Sequence, residues 1–418
     1  MNKILLFIGV LIPTAFFSQN LEYAKTVIDT LTSSHFSGRG ALDNGERKAA
    51  EFIAKEFEKH GLNSYVDNYF QEFLSPINVF PGKIQLEIDG KSLKAGKNFL
   101  VNPSSKRVKG SFEVVWYDAK TVLSENRLKK LAFRNYFTNK FIVVDDEGVD
   151  KNDPVFRLLR VNYFNAAGII FLKDKLTHSL SKKRNDFVSL QILRDEIDKS
   201  IKKIKININQ KFLGDYKSQN VIGFVEGSEH PDSIIILSAH YDHLGKLGDD
   251  VFFPGANDNA SGVALLLDFA YHYTHKYPPT KTVVFIAFGA EEIGLVGSQY
   301  FVQNPPFDLN SINFVFNMDL MGTGSEGAMI VNGKIFEKQY NRLTKINDKH
   351  NYLPIIKKRG KAANSDHYWF SENGVPAFFI YLMGGIKAYH DIYDVSDTLP
   401  LTKFEDTFRL IRDFVDEL

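Results

Sequence analysis

Ser238-Ala-His-Tyr-Asp-His-Leu-Gly245, Gly255-Ala-Asn-Asp-Asn-Ala-Ser-Gly262 and Phe288-Gly-Ala-Glu-Glu-Ile-Gly294 fall within one stretch of the chain, and each sets His, Asp or Glu close to an apolar run. An open α/β sheet presents its ligands in this way, at the carboxyl ends of its strands. The stretch therefore reads as the middle of such a sheet, with a metal site along one edge.

Downstream the alternation continues. Ile234 to Leu237 reads as a buried strand, Ala260 to His272 as a helix, Thr282 to Phe288 as a strand and Leu295 to Val302 as a helix. Asn313 to Met318 and Val375 to Leu382 have strand character, while Ile335 to Asn347, Asp366 to Glu372 and Leu401 to Leu418 have helical character. Strands that alternate with helices predict an α/β fold with a mostly parallel, helix-covered central sheet.

Upstream, Leu21 to Leu31 and Gly45 to His60 carry apolar residues at helical spacing, the second closed by Gly61. Arg39, in the turn Ser37-Gly-Arg-Gly40, reads as a structural arginine paired with a carboxylate. From Asn78 to Asp215 the texture changes to short β-type runs free of acid and histidine clusters, which predicts an inserted, smaller, β-rich domain. The expected organisation is a leader over 1–18, a discontinuous main domain over 19–77 and 216–418, and an insert over 78–215.

The chain has 418 residues, 44% of them hydrophobic, which is enough for two domains with real cores. Lys and Arg total 51 against 50 Asp and Glu, so no net field favours nucleic acid or an anionic membrane. Lys3 followed by the apolar run Ile4 to Phe17, broken by Pro13, reads as a secretory signal peptide cut after Ser18, with no membrane attachment afterwards. The absence of cysteine leaves neither a lipidated Cys anchor nor a disulfide. Together these predict an exported bacterial protein, periplasmic or extracellular.

Seven acids and imidazoles follow the strands: His240, Asp242, Asp258, Glu291, Glu292, Asp319 and His390. Any one alone is more often a solvated charge than a ligand. Several beside strongly apolar runs are another matter, because an unpaired buried carboxylate costs several kcal/mol. Five of them suffice for two metals, with His240 and Asp319 on one ion, Glu292 and His390 on the other, and Asp258 spanning both. Neutral imidazole and carboxylate oxygen suit zinc, and two ions about 3.5 Å apart can hold a bridging hydroxide. Cobalt or manganese fit the same donors. Asp242, two residues after His240, is expected to accept the proton of the far ring nitrogen. Glu291 is expected to serve as general base and then acid. His243, His272, His275 and His350 are left as bystanders, and His367 in Ser365-Asp-His-Tyr-Trp369 is as readily a core histidine as a functional one.

With these residues in hand, the chain resembles the co-catalytic dizinc aminopeptidase family, which includes bacterial leucyl aminopeptidases, glutamate carboxypeptidases and glutaminyl cyclases. The resemblance covers Leu21 to Gln71 and Asn220 to Leu418. It implies two zinc ions on the five ligands above, Asp258 as the bridge, Glu291 as the base and a cis peptide at Asp258-Asn259. It also gives His367 the role of steadying the oxyanion, and likens the insert to a protease-associated domain. The implied activity is removal of N-terminal residues from peptides with free N-termini through a metal-bridged hydroxide. The alternatives are a single-zinc glutaminyl cyclase, a carboxypeptidase for acidic dipeptides, and a binding module without catalysis.

Overall fold

Strands Lys281–Phe288, His230–His240, Ile312–Met318 and Ala377–Leu382 lie side by side and run parallel in the computed structural model, which describes residues 21–120, 124–150 and 152–418. Their middles, such as Ile234 to Leu237 and Val283 to Phe288, are buried on both faces, as the unbroken apolar runs require. Antiparallel strands extend the sheet to eight: Lys211–Val225 and Phe70–Val79 on one side, Ala328–Val331 with Ile356–Lys358 on the other. Three of these additions carry mixed polar and apolar residues and Ala328–Val331 is only four residues long, and sequence reading passed over all of them.

Helices cover both faces. Leu21–Thr32, Gly45–His60, Ser261–His275 and Phe404–Asp416 share one core, in which Phe269 stacks on Phe408 with centroids 4.2 Å apart. Val296–Gln303 and His367–Glu372 close the other face through Phe301 and Phe370. Among the described residues no helix is long and apolar enough to cross a membrane. The expected leader, residues 1–18, lies outside the described residues.

A second eight-stranded sheet is built from Ile84 to Ile208. Its central strands Val108–Tyr117, Lys140–Val144, Gly168–Lys173 and Val188–Leu193 are parallel, and helices Glu125–Phe133 and Pro154–Arg160 lie between them in sequence. This region is thus itself α/β in its middle, beyond the β-rich texture of its sequence. The chain enters and leaves it along an antiparallel ribbon that pairs Phe70 with Val221 at one end and Val79 with Lys211 at the other. The expected boundaries at 77/78 and 215/216 fall inside that ribbon. The second sheet's core also takes in Leu244, Leu247 and Phe253, from the loops between His240 and Asp258.

Candidate metal centre

Parallel register pairs His240 with Phe288 and Ser238 with Asn317, so the segments that follow these strands emerge along one edge of the sheet. That edge brings His240, the Glu291-Glu292 pair and Asp319 together. Asp258 comes from the turn before helix Ser261–His275, and His390 from the loop after strand Ala377–Leu382. All six residues line one cavity of about 370 Å³. The Asp258-Asn259 peptide is cis, as the resemblance implied.

His240 Nε2 stands 3.3 Å from Asp258 Oδ1 and 3.4 Å from Asp319 Oδ1. His390 Nε2 stands 3.1 Å from Asp258 Oδ2 and 3.3 Å from Glu292 Oε2. Donors about 2.0–2.1 Å from a tetrahedral zinc lie about 3.3 Å from one another, which these separations match. Asp258 offers a different oxygen to each set. Apart from its 3.4 Å approach to His240 Nε2, Asp319 Oδ1 is buried without a hydrogen-bond partner among the described residues, and a cation is its natural counterpart. The donor set therefore fits two divalent ions of the zinc kind.

Neighbouring groups aim each donor. His240 Nδ1 donates to the backbone carbonyl of Asp242 at 3.1 Å, which leaves Nε2 to face the cavity. The Asp242 carboxylate is 3.8 Å from that nitrogen, too far for the expected hydrogen bond. It accepts instead from the backbone N–H of Glu291 at 3.0 Å and of Glu292 at 3.2 Å, and so fixes the acidic pair. The sequence spacing suggested the right residue and the wrong atom. Asp319 is held by a relay: Ser238 donates to Asn317, Asn317 to Ser365, and Ser365 Oγ to Asp319 Oδ2 at 3.1 Å.

Asp258 is secured through its backbone. Asp394 Oδ1 and Oδ2 accept from the N–H groups of Asn257 and Asp258 at 2.9 and 3.0 Å. Arg39, fully buried, donates to five carbonyl oxygens, those of Leu31, Tyr241, Pro254, Gly255 and Asp258. The expected carboxylate partner of Arg39 is replaced by these carbonyls. Arg39 crosslinks the two loops that deliver His240 and Asp258, and it brings a positive charge behind the site.

The electrostatics show how much positive charge the cluster demands. Burial opposes charge on His240, yet Asp319, Glu291 and Asp258 raise its basicity well above the ordinary histidine range. His390 is pushed up to about 9 by Glu292 and Asp258 despite its burial. Asp258, although buried, is held well below the carboxylate range by His240 and His390. Burial raises Glu291, with His240 opposing and Asp366, Glu292 and Asp319 adding to the rise.

Two sequence expectations change. His243, left as a bystander, is wholly buried with Nδ1 2.7 Å from Glu292 Oε1, and forms a potential ligand group with Asp258 and Glu292. His367 is also wholly buried, with its ring against Phe379. Phe379 lines the cavity and His367 does not, so the oxyanion contact expected of His367 has no geometric support. Tyr381 and Tyr389 do line it. Asp394 gave no distinct sequence signal, and the partners of Arg39 and Ser365 could not be read from the sequence, because they are backbone atoms or lie far along the chain.

Residues 220–415 match the model of Peptidase family M28. Aminopeptidase YwaD of Bacillus subtilis is 30% identical over 207 residues, which is 48% of this chain and 43% of that protein. The chain thus spans less than half the length of that curated relative. Among solved structures, a zinc aminopeptidase from Bacillus subtilis aligns with a TM-score of 0.70 at 19% identity, covering 95% of this chain and 94% of that one. A glutaminyl cyclase of Bacteroides thetaiotaomicron aligns at 0.50 and 13% identity over 96% and 98%. These structural likenesses establish the shared fold. The part of the chain that supplies the whole acid and imidazole cluster, residues 220–415, is the part that matches Peptidase family M28.

Proposed function

We propose that the chain is an exported, zinc-dependent aminopeptidase that removes N-terminal residues from peptides. The observation that carries this reading is the split use of Asp258, one oxygen toward His240 and Asp319 and the other toward His390 and Glu292. His240 and Asp319 would hold one ion, Glu292 and His390 the other, and Asp258 both. Bound there, divalent ions would supply Lewis acidity and lower the pKa of water toward neutrality.

The chain's own groups account for the remaining steps. Glu291 lines the cavity, and burial raises its carboxyl well above the ordinary glutamate range, which suits it to take a proton from the attacking water and return it to the leaving amine. Asp242 holds the backbone of both glutamates and acts as a positioning residue. The oxyanion contact passes from His367 to Tyr389, a cavity residue whose hydroxyl is kept protonated by burial and by Asp258 and Glu292. Zinc and aminopeptidase activity in the named relatives support the assignment. The leader-like Lys3 and Ile4 to Phe17, with no cysteine in the chain, support export.

Arg359 favours a second reading. It is the cationic residue in the cavity wall and donates to the Tyr381 hydroxyl at 3.3 Å, so it could receive the carboxylate of an acidic dipeptide. A panel of aminoacyl arylamides, C-terminal glutamyl dipeptides and N-terminal glutaminyl peptides separates the readings. Release of the arylamine supports the aminopeptidase. Cleavage confined to glutamyl dipeptides moves the assignment to a carboxypeptidase, and ring closure of glutamine moves it to a cyclase.

A further inference from the structure

We infer that His178, from the second-sheet region, is a positioning residue for His390, which makes that region a structural part of the metal centre. The inference rests on the metal reading given above. His390 has φ +53°, a left-handed conformation that a non-glycine residue keeps only when its surroundings hold it there. Two reciprocal bonds from one residue supply that hold. The N–H of His178 donates to the carbonyl of His390 at 2.9 Å, and His390 Nδ1 lies 3.1 Å from the carbonyl of His178. A carbonyl can only accept, so His390 Nδ1 carries the proton and Nε2 is turned toward Asp258 and Glu292.

His178 is itself anchored. Its side chain is buried and stacks on Phe253, centroids 4.6 Å apart and planes at 9°. Phe253 is fully buried and leads through Pro254 and Gly255 to Asp258. The ring acts as a flat apolar plate: burial pushes its basicity down to about 3, and Nδ1 has no partner among the described residues. One residue thus ties the loop of His390 to the loop of the bridging carboxylate. Lys175, three residues earlier, grips the same loop through Asp391 at 3.2 Å and the carbonyl of Lys387 at 2.9 Å. The Asp391 carboxylate accepts in turn from the N–H of Tyr393 at 3.0 Å.

The test measures stepwise zinc affinity of the full chain by competition with a chromophoric chelator, together with the visible absorption of the cobalt-loaded protein. Wild type, His178→Ala, His178→Phe, Lys175→Ala and the control Lys91→Ala are compared. Lys91→Ala breaks the Lys91–Glu196 pair, which also belongs to the second-sheet region. The bonds from His178 to His390 are main-chain and survive these substitutions, which instead remove the ring and the ion pair that hold that main chain in place; loss of such support around a metal ligand typically changes affinity by about 10- to 100-fold. The expected result is one ion weakened by about 10-fold in His178→Ala and by a few-fold in Lys175→Ala, with the other ion unchanged and an altered cobalt spectrum. His178→Phe, which keeps the plate, and Lys91→Ala should match wild type. A merely structural role would lower the melting temperature and leave both affinities alone. Wild-type affinities in His178→Ala and Lys175→Ala overturn the inference, as does a His178→Phe variant as weak as His178→Ala. If His178→Ala does not fold, Lys175→Ala decides alone. A wild-type protein that binds no zinc refutes the metal reading, a separate failure.

Discussion

Asp268→Asn should stabilise the protein above neutral pH and lose most of that advantage in mild acid. Asp268 lies on helix Ser261–His275, is 2% exposed, and its Oδ2 has no hydrogen-bond partner among the described residues. Burial raises its carboxyl from 3.8 to about 7, with Lys276 opposing. Each unit is worth about 1.36 kcal/mol, so the ionised form costs the folded state about 4 kcal/mol relative to the unfolded chain. The folded pKa exceeds the unfolded one. Wild type is therefore free of this penalty below pH 3.8, loses stability as pH rises from there to about 7, and stays penalised above.

The asparagine amide must also be buried, which takes back about 1–3 kcal/mol and leaves a net gain of about 1–3 kcal/mol at pH 8. Between pH 5 and pH 8 the variant should gain about 3 kcal/mol on wild type. Urea unfolding of both proteins at pH 5, 6, 7 and 8 reads this directly. Any pH dependence from metal release is common to the two and cancels in the difference. A stability difference that stays constant from pH 5 to 8 would refute the reasoning.

Three further outcomes are expected. Glu291→Gln should keep its metal content and lose about 10²- to 10⁴-fold in kcat, since only proton transfer is removed; near-normal turnover would eliminate Glu291 as the base. His243→Ala frees Glu292 from its 2.7 Å partner and should weaken zinc binding by about 10-fold in a chelator titration, whereas unchanged affinity would return His243 to the bystanders. Tyr389→Phe should lower kcat by about 10²-fold with KM little changed, and a fall confined to KM would mean that Tyr389 binds substrate without steadying the oxyanion.

Much of the central sheet was legible because its inner strands are buried on both faces and must be continuously apolar. Helix Gly45–His60 was legible to the residue, since its apolar spacing ends at Gly61, which has φ +78° as a C-cap. Strand Lys211–Val225 was hidden because its first half is largely exposed and reads as polar chain. Ala328–Val331 and Ile356–Lys358 are too short to show a period.

The five expected ligands share one cavity because each follows an apolar strand or opens a helix, which is a local signal. Their supports are non-local. Asp394 reaches back to Asn257, Arg39 forward to Asp258, and His178 forward to His390, over separations no periodicity reports. Asp242 shows the same limit at short range. Spacing placed it beside His240, but the backbone geometry gave that contact to its carbonyl and turned the carboxylate to the glutamate pair.

The most direct test of the two-ion centre is metal stoichiometry of the dialysed protein, wild type against Asp258→Ala, by plasma mass spectrometry. A carboxylate that gives one oxygen to each donor set predicts two zinc ions per wild-type chain and fewer than one in the variant, with arylamide hydrolysis lost in parallel. One ion in wild type, or two retained in Asp258→Ala, would contradict the bridged centre.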